Sequence, residues 1–116
     1  MNKRSVGSDK EDMVCRFLTK NGVTILDRNY NTDKGEIDII GADGEYIVFF
    51  EVKYRKAGNY GNPLEAITKS KVRRIVAASK IYLYTNHYSE NSFVRYDCIG
   101  VLDSDITWIK NAFDAI

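Results

Sequence analysis

Apolar positions near the start of the chain recur at helical spacing. Residues 13–18 place apolar side chains three and four apart, which predicts an amphipathic helix. Ser8 and Glu11 fit the S-x-x-E capping box, so we expect the helix to begin at Ser8. The pair Asn21-Gly22 is typical of a helix end.

The pattern then changes to the two-residue period of β-strands. We expect strands at 23–30 and 36–40, and the strongest one at 46–54, with turn residues between them. The strand at 46–54 is apolar on both faces, which is typical of a central strand covered on both sides. Its predicted inward positions are Val48, Phe50 and Val52 on one face, with Ile47 and Phe49 on the other.

A second helical region separates this strand from the last ones. Asn62-Pro63-Leu64-Glu65 predicts a helix cap, and helical structure follows to about Tyr84. Strands are expected at 93–101 and 106–109. A strand, a helix and a further strand in this order favour a parallel pair joined by a right-handed crossover. The expected buried stripe of the helix is Val72, Ile75, Val76, Ser79 and Leu83.

The predicted class is therefore α/β, with the order α-β-β-β-α-β, a short additional strand, and a small mixed sheet flanked by helices. A chain of 116 residues predicts one domain over 1–116. We expect no membrane association, because no apolar run approaches the roughly 20 residues of a span. The start of the chain has no signal-peptide pattern, and Cys15 and Cys98 resemble buried thiols of a reducing compartment, so a cytoplasmic location is expected.

Charged residues at the end of the predicted hairpin are the main candidates for chemistry. Glu51 and Lys53 are two apart and share a face of the central strand. We expect Asp38 to lie opposite Glu51, and the same register places Ile40 opposite Phe49. Two neighbouring carboxylates repel each other unless a cation lies between them, and Mg²⁺ prefers such oxygen ligands. Lys53 could then orient or deprotonate a water molecule.

A structural alternative is an ion-pair ladder on a half-exposed hairpin. In it, Glu36 and Asp38 would pair with Lys53 across the strands. The doubly apolar strand favours the functional interpretation, because charged groups are costly to bury there without a role.

The motifs Gly35–Ile40 and Val48–Arg55 resemble the signature of the YraN-like family of small bacterial proteins. Those proteins are members of the PD-(D/E)xK nuclease superfamily and are similar to archaeal Holliday-junction resolvases. The resemblance runs nearly from end to end. Further matching positions are Glu11, Gly61–Ala66, Lys71, Arg73-Arg74, Tyr82-Leu83, Arg95–Asp97 and Asn111–Phe113.

This resemblance implies a restriction-endonuclease-like fold and a metal-dependent endonuclease that hydrolyses DNA, branched or junction DNA included. It implies that Asp38 and Glu51 are ligands of Mg²⁺ or Mn²⁺, Lys53 the catalytic lysine and Glu11 an outer acidic partner. The two-fold symmetry of a junction suggests a homodimer by analogy. The alternative is an inactive domain on the same fold that binds nucleic acid or a protein partner. Capping of Ser8 is an alternative role for Glu11.

Any DNA affinity must come from a local basic surface, because 17 basic and 16 acidic residues give a net charge of only +1. The 69–80 segment contains no acidic residue, although such a run is more often just a solvated helix face. The candidate phosphate contacts are Arg55, Lys56, Lys69, Lys71, Arg73 and Arg74.

Overall fold

A computed structural model of the chain describes residues 6–55 and 67–115. Neither helix within these ranges is both long and apolar enough to span a membrane. The elements are α1 (Val6–Lys20), β1 (Thr24–Asn31), β2 (Glu36–Asp43), β3 (Tyr46–Arg55), α2 (Lys69–Thr85), β4 (Phe93–Leu102) and β5 (Asp105–Ile109).

The five strands form one mixed sheet in the order β1-β2-β3-β4-β5. Neighbouring strands are antiparallel except β3 and β4, which are parallel and connected through α2. The predicted α-β-β-β-α-β order and the mixed α/β sheet are therefore confirmed. β3 is the central strand, as its two apolar faces predicted, and hydrogen bonds from both neighbours hold it.

Each face of the sheet carries its own hydrophobic core. On the face covered by α1, alternate residues of β3, including Val48 and Phe50, pack around Val14 and Leu18 of the helix. Against α2 it packs the intervening residues, with Phe49 among the rings of Tyr82 and Tyr96. The alternation predicted for β3 is confirmed. The buried side of α2 is slightly different from the expectation: its buried residues are Ile75, Val76, Ala78, Ser79 and Tyr82.

The helix starts differ from the capping predictions. α1 begins at Val6, so Ser8 lies inside the helix and the predicted capping box is wrong. α2 begins at Lys69, where the Thr68 side chain accepts a hydrogen bond from the backbone N–H of Lys71. The predicted cap at 62–65 lies outside the described residues.

A buried carboxylate ties the middle of β4 to its neighbouring strands. Asp97 of β4 is fully buried and accepts hydrogen bonds from the Arg95 guanidinium, from Trp108 Nε1 and from the backbone N–H of Asn111. Arg95 also bonds to Asp43 at the end of β2, with Nη2 2.8 Å from Oδ2. This Asp97 network joins three strands and the chain that follows β5.

The turn between β1 and β2 packs directly on α2. A Cβ atom added at Gly35 would lie only 2.6 Å from the carbonyl oxygen of Arg74. Since that oxygen belongs to a helix backbone, it cannot move as a flexible side chain would. Glycine at this position therefore sets how closely α2 approaches the beginning of β2.

We predict that Gly35→Ala destabilises the protein by about 1–3 kcal/mol, because the added methyl group must displace the α2 backbone. Urea unfolding of this variant and of Lys34→Ala, at the exposed neighbouring position, measures the effect. A Gly35→Ala loss no larger than that of Lys34→Ala would contradict the close packing.

Candidate active site

The site begins where the β2–β3 ladder ends. Ile40 pairs with Phe49 and Ile39 with Phe50, so the predicted register is confirmed up to this point. Beyond the last pair, the Asp38 side chain replaces a backbone partner: its Oδ2 accepts a hydrogen bond of 2.8 Å from the backbone N–H of Val52. The Asp38 carboxyl is thereby held beside β3 at the level of Glu51.

Glu51 is a buried carboxylate on the α2 face of β3, with 3% of its side chain exposed. Its Oε2 lies 2.5 Å from Lys71 Nζ and 3.6 Å from Lys53 Nζ. The same buried oxygen accepts no hydrogen bond within the described ranges. The contacts of this oxygen with the two lysines are therefore ion pairs rather than hydrogen bonds.

The strand beside Glu51 offers it no charge. In the parallel register Glu51 is level with Cys98 of β4, which is fully buried and not in a disulfide. Burial raises the pKa of the Cys98 thiol to about 11, so the thiol is neutral near pH 7. Compensation for Glu51 has to come from its own strand and from α2.

The titration of these groups follows from their crowding. Burial, and then the charge of Glu51, raises the pKa of Asp38 to about 7 from its ordinary value of 3.8, against the opposing hydrogen bond from Val52. The Lys71 ammonium, and then burial, lowers the pKa of Lys53. Burial also lowers the pKa of Lys71, but its contact with Glu51 outweighs burial and the net pKa is raised.

Glu11 faces the sheet from α1, and Arg28 and Asn29 of β1 donate hydrogen bonds to its carboxylate. Its Oε1 accepts hydrogen bonds from Arg28 Nη2 at 2.8 Å and from Asn29 Nδ2 at 3.0 Å. Asn29 has a left-handed backbone (φ 52°), which asparagine tolerates better than most residues. Burial, and then the charges of Glu11 and Asp38, raise the pKa of Tyr54 to about 12.

The donor set fits a hard divalent cation. Asp38 and Glu51 supply carboxylate oxygens, the ligands that Mg²⁺ and Mn²⁺ prefer. The Glu51 oxygen without a hydrogen bond is the kind of atom such an ion would satisfy. In the part of the chain that the structure describes, no three acidic, histidine or cysteine side chains come close enough to hold a metal. Glu11 therefore does not join the two carboxylates in a three-acid cluster.

Comparison with known proteins gives the family. The family described as "Uncharacterised protein family UPF0102" matches residues 10–101. A UPF0102 protein of Lachnoclostridium phytofermentans is 45% identical over 115 residues, covering 99% of this chain and 98% of its own. A UPF0102 protein of Fusobacterium nucleatum is 38% identical over 96% of this chain and 92% of its own.

The chain belongs to the UPF0102 family. This confirms the predicted membership of the YraN-like proteins. A UPF0102 protein of Vibrio campbellii, 40% identical over 96% of this chain, extends the match to a further genus. The names of these relatives give no activity, so the nuclease chemistry implied by the resemblance stays a prediction.

The structure separates the candidate phosphate contacts of this UPF0102 chain into groups. Lys69, Arg73 and Arg74 are exposed on α2, which leaves them accessible to a ligand. Lys71 instead reaches into the site. Arg55 is half-buried at the end of β3, and Lys56 lies outside the described residues.

The predicted partnership of Glu36 with Lys53 is absent from the paired register. The β2–β3 ladder ends at Ile39, and Glu36 is an exposed residue at the start of β2. Lys53 approaches Glu51 on its own strand. The ion-pair ladder across the hairpin is therefore not formed.

Two parts of the site were missed by the sequence reasoning. Arg28 and Asn29 lie within the strand predicted at 23–30, and the polarity of its second half was the available signal. Lys71 was expected to contact phosphate, whereas the structure places it on Glu51. Its position beside Val72 at the edge of the buried stripe was the signal that it could point toward the sheet.

We predict that Asp38→Asn stabilises the metal-free protein in a pH-dependent way. The folded state raises the Asp38 pKa, so it binds more protons than the unfolded state between about pH 4 and 7. Native stability therefore falls as pH rises through this window, and the penalty is fully present above pH 7. Asparagine can still accept the hydrogen bond from Val52.

The advantage of Asp38→Asn should be about 2–4 kcal/mol at pH 8 and should vanish near pH 4. Urea unfolding in EDTA across pH 4–8 measures it, with Glu36→Gln as the control for loss of an exposed carboxylate on the same strand. An advantage independent of pH would show that Asp38 is not the titrating group.

Proposed function

We propose that this UPF0102 protein is a metal-dependent endonuclease that hydrolyses phosphodiester bonds in DNA. One observation carries the proposal: a buried carboxylate oxygen of Glu51 without a hydrogen bond, beside the Asp38 carboxyl and facing two ammonium groups. Burying such an oxygen costs several kcal/mol, and the two ammonium groups offset only part of this penalty because neither donates it a hydrogen bond. A site that cleaves DNA, which is a polyanion, would explain why the fold keeps the two carboxyl groups and the two ammonium groups together.

Asp38 and Glu51 would hold the ion, Mg²⁺ or Mn²⁺. Bound there, the ion would act as a Lewis acid toward water and toward the phosphate oxygens. Lys53 lies on the same face as Glu51, with its side chain one-quarter exposed, so it can reach both the carboxylate and solvent. Its proposed work is to orient the attacking water and to stabilise negative charge that develops on phosphate.

The DNA would lie along the α2 side of the sheet. Lys69, Arg73 and Arg74 are exposed there, on the same helix that brings Lys71 to the carboxylates. Arg55 ends the strand that carries Glu51 and Lys53 and would extend the same basic surface, whereas the candidate Lys56 lies outside the described residues. We further propose that the protein acts in the cytoplasm, as a homodimer, and on branched DNA.

A second candidate function rests on the same charges. Lys53 and Lys71 already neutralise Glu51, and Arg28 already engages Glu11, so the site is partly compensated without a metal. This arrangement favours a domain that binds nucleic acid or a protein partner without turnover. Calorimetry with Mn²⁺ distinguishes the two, since only the endonuclease requires the metal.

We predict that Lys53→Ala abolishes cleavage while leaving DNA affinity largely unchanged, because its role is at the reacting water and phosphate. Glu51→Gln should lose both cleavage and metal binding. The assay incubates purified protein with linear, flapped and four-way DNA in Mn²⁺, with EDTA as the blank. Cleavage by Glu51→Gln at the native rate would exclude this site as the source of activity.

We predict that Arg73→Ala combined with Arg74→Ala reduces the magnitude of the log–log salt slope of DNA binding by about 1 to 2, because each lost phosphate contact releases fewer counterions. Fluorescence anisotropy at several salt concentrations measures the slope. The matched control is Arg16→Ala with Lys20→Ala, which removes two exposed cations from α1 on the opposite face. Equal slopes for both double variants would move the DNA path away from α2.

A further inference from the structure

Lys71 occupies the position at Glu51 where a metal ion would be needed. Its ammonium is 2.5 Å from the buried Oε2, closer than the 3.6 Å of Lys53. Both ammoniums therefore crowd one oxygen, and their mutual repulsion disfavours this arrangement. A divalent cation at the same oxygen would repel the nearer ammonium still more strongly.

The Lys71 backbone is fixed, but its side chain can turn into a neighbouring cavity. The N–H of Lys71 is tied to the Thr68 side chain in the first turn of α2. The side chain is 36% exposed and lines an open cavity of about 240 Å³ together with Gly35, Glu36, Arg74 and Ile75. Four rotatable methylene groups can carry the ammonium from Glu51 into this cavity without moving the helix.

The cavity is suited to phosphate once Lys71 turns toward it. Arg74 already lines it, and the Gly35 backbone can be approached closely because it has no side chain. Among the described residues, Glu36 is the one acid in its lining, and it is exposed to solvent. An ammonium and a guanidinium there would contact a phosphate close to the carboxylates.

We propose that Lys71 is a displaceable counter-ion that couples metal binding to phosphate binding. Without metal it neutralises Glu51. When a divalent cation binds to Asp38 and Glu51, Lys71 is released into the cavity and contacts a backbone phosphate of the nucleic acid. This inference rests on the proposed function and adds to it a positioning residue and an order of assembly.

The two ligands must then favour each other. Metal makes Lys71 available to phosphate, and phosphate removes from Glu51 the ammonium that competes with metal. By linkage, each ligand raises the affinity of the other by the same factor. In the free protein, Lys71 neutralises the buried carboxylate of Glu51.

The test is Mn²⁺ affinity, measured by calorimetry on the native protein and on Lys71→Met, which keeps the length of the side chain and removes its charge. Without DNA, Lys71→Met should bind Mn²⁺ at least about fivefold more tightly, the low end of typical coupling between sites. Lys71→Arg, which keeps the charge, should stay near the native value. Lys80→Met, which removes an exposed lysine farther along the same helix, should change Mn²⁺ affinity by no more than about twofold, since solvent screens it.

The coupling is measured by repeating the titrations with a phosphorothioate oligonucleotide, which resists cleavage. It should tighten Mn²⁺ binding to the native protein and should have a much smaller effect on Lys71→Met. If Lys71→Met fails to fold, Lys71→Gln replaces it, because its amide can still donate a hydrogen bond to Glu51; the same direction is expected.

The outcomes distinguish failure of the counter-ion role from failure of the proposed metal-dependent function. Mn²⁺ binding that is unchanged or weaker in the neutral Lys71 variants overturns the counter-ion role and leaves the metal-dependent site intact. Failure of the native protein and the neutral variants alike to bind Mn²⁺ overturns both. Binding by a neutral variant where the native protein binds none supports the inference in its strongest form.

Discussion

A strand covered on both faces leaves no solvent for a charged side chain, and the rest of this structure depends on that constraint. β3 packs against α1 on one face and α2 on the other, and neighbouring strands satisfy both of its edges. Glu51 nevertheless lies on it, almost without exposure. The surrounding elements have to provide the compensation that water provides elsewhere.

The two helices bring opposite charges to the sheet, and only α2 supplies a cation to Glu51. α2 brings Lys71 to Glu51, whereas α1 brings Glu11 to the other side of the sheet, where Arg28 of β1 holds it. Asp38 completes the arrangement from β2, held by a backbone hydrogen bond rather than by a cation. A carboxyl group placed in this way can share a proton or a metal with Glu51, and few ordinary structural ion pairs have that arrangement.

The hairpin register could be predicted from the sequence because both strands have to keep their apolar residues on matched faces. A slip of one residue would exchange the two faces of a strand, and the observed pairing of Ile40 with Phe49 keeps them matched. The start of α1 could not be predicted in the same way. Ser8 fits a cap locally, but helical structure extends to Val6, and nothing in the short motif excludes a longer helix.

The contact between Lys71 and Glu51 was beyond sequence reasoning for a different reason. It depends on how closely α2 lies on the sheet, which Gly35 and the rings around Phe49 decide together. A lysine side chain is long enough to point to solvent or to the sheet from the same helical position. Only the distance between helix and sheet selects between these directions, and no pattern along the chain encodes that distance.

The Asp97 network has a consequence for where this sheet can open. It ties the first half of β4 to β2 and β5, through Arg95, Asp43 and Trp108, with every charge hydrogen-bonded. The competing charges of the site lie in the second half of β3, at Glu51 and Lys53. Slow amide hydrogen exchange should therefore concentrate around Arg95 and decline along both strands toward Lys53, so that the sheet frays first where a ligand would enter.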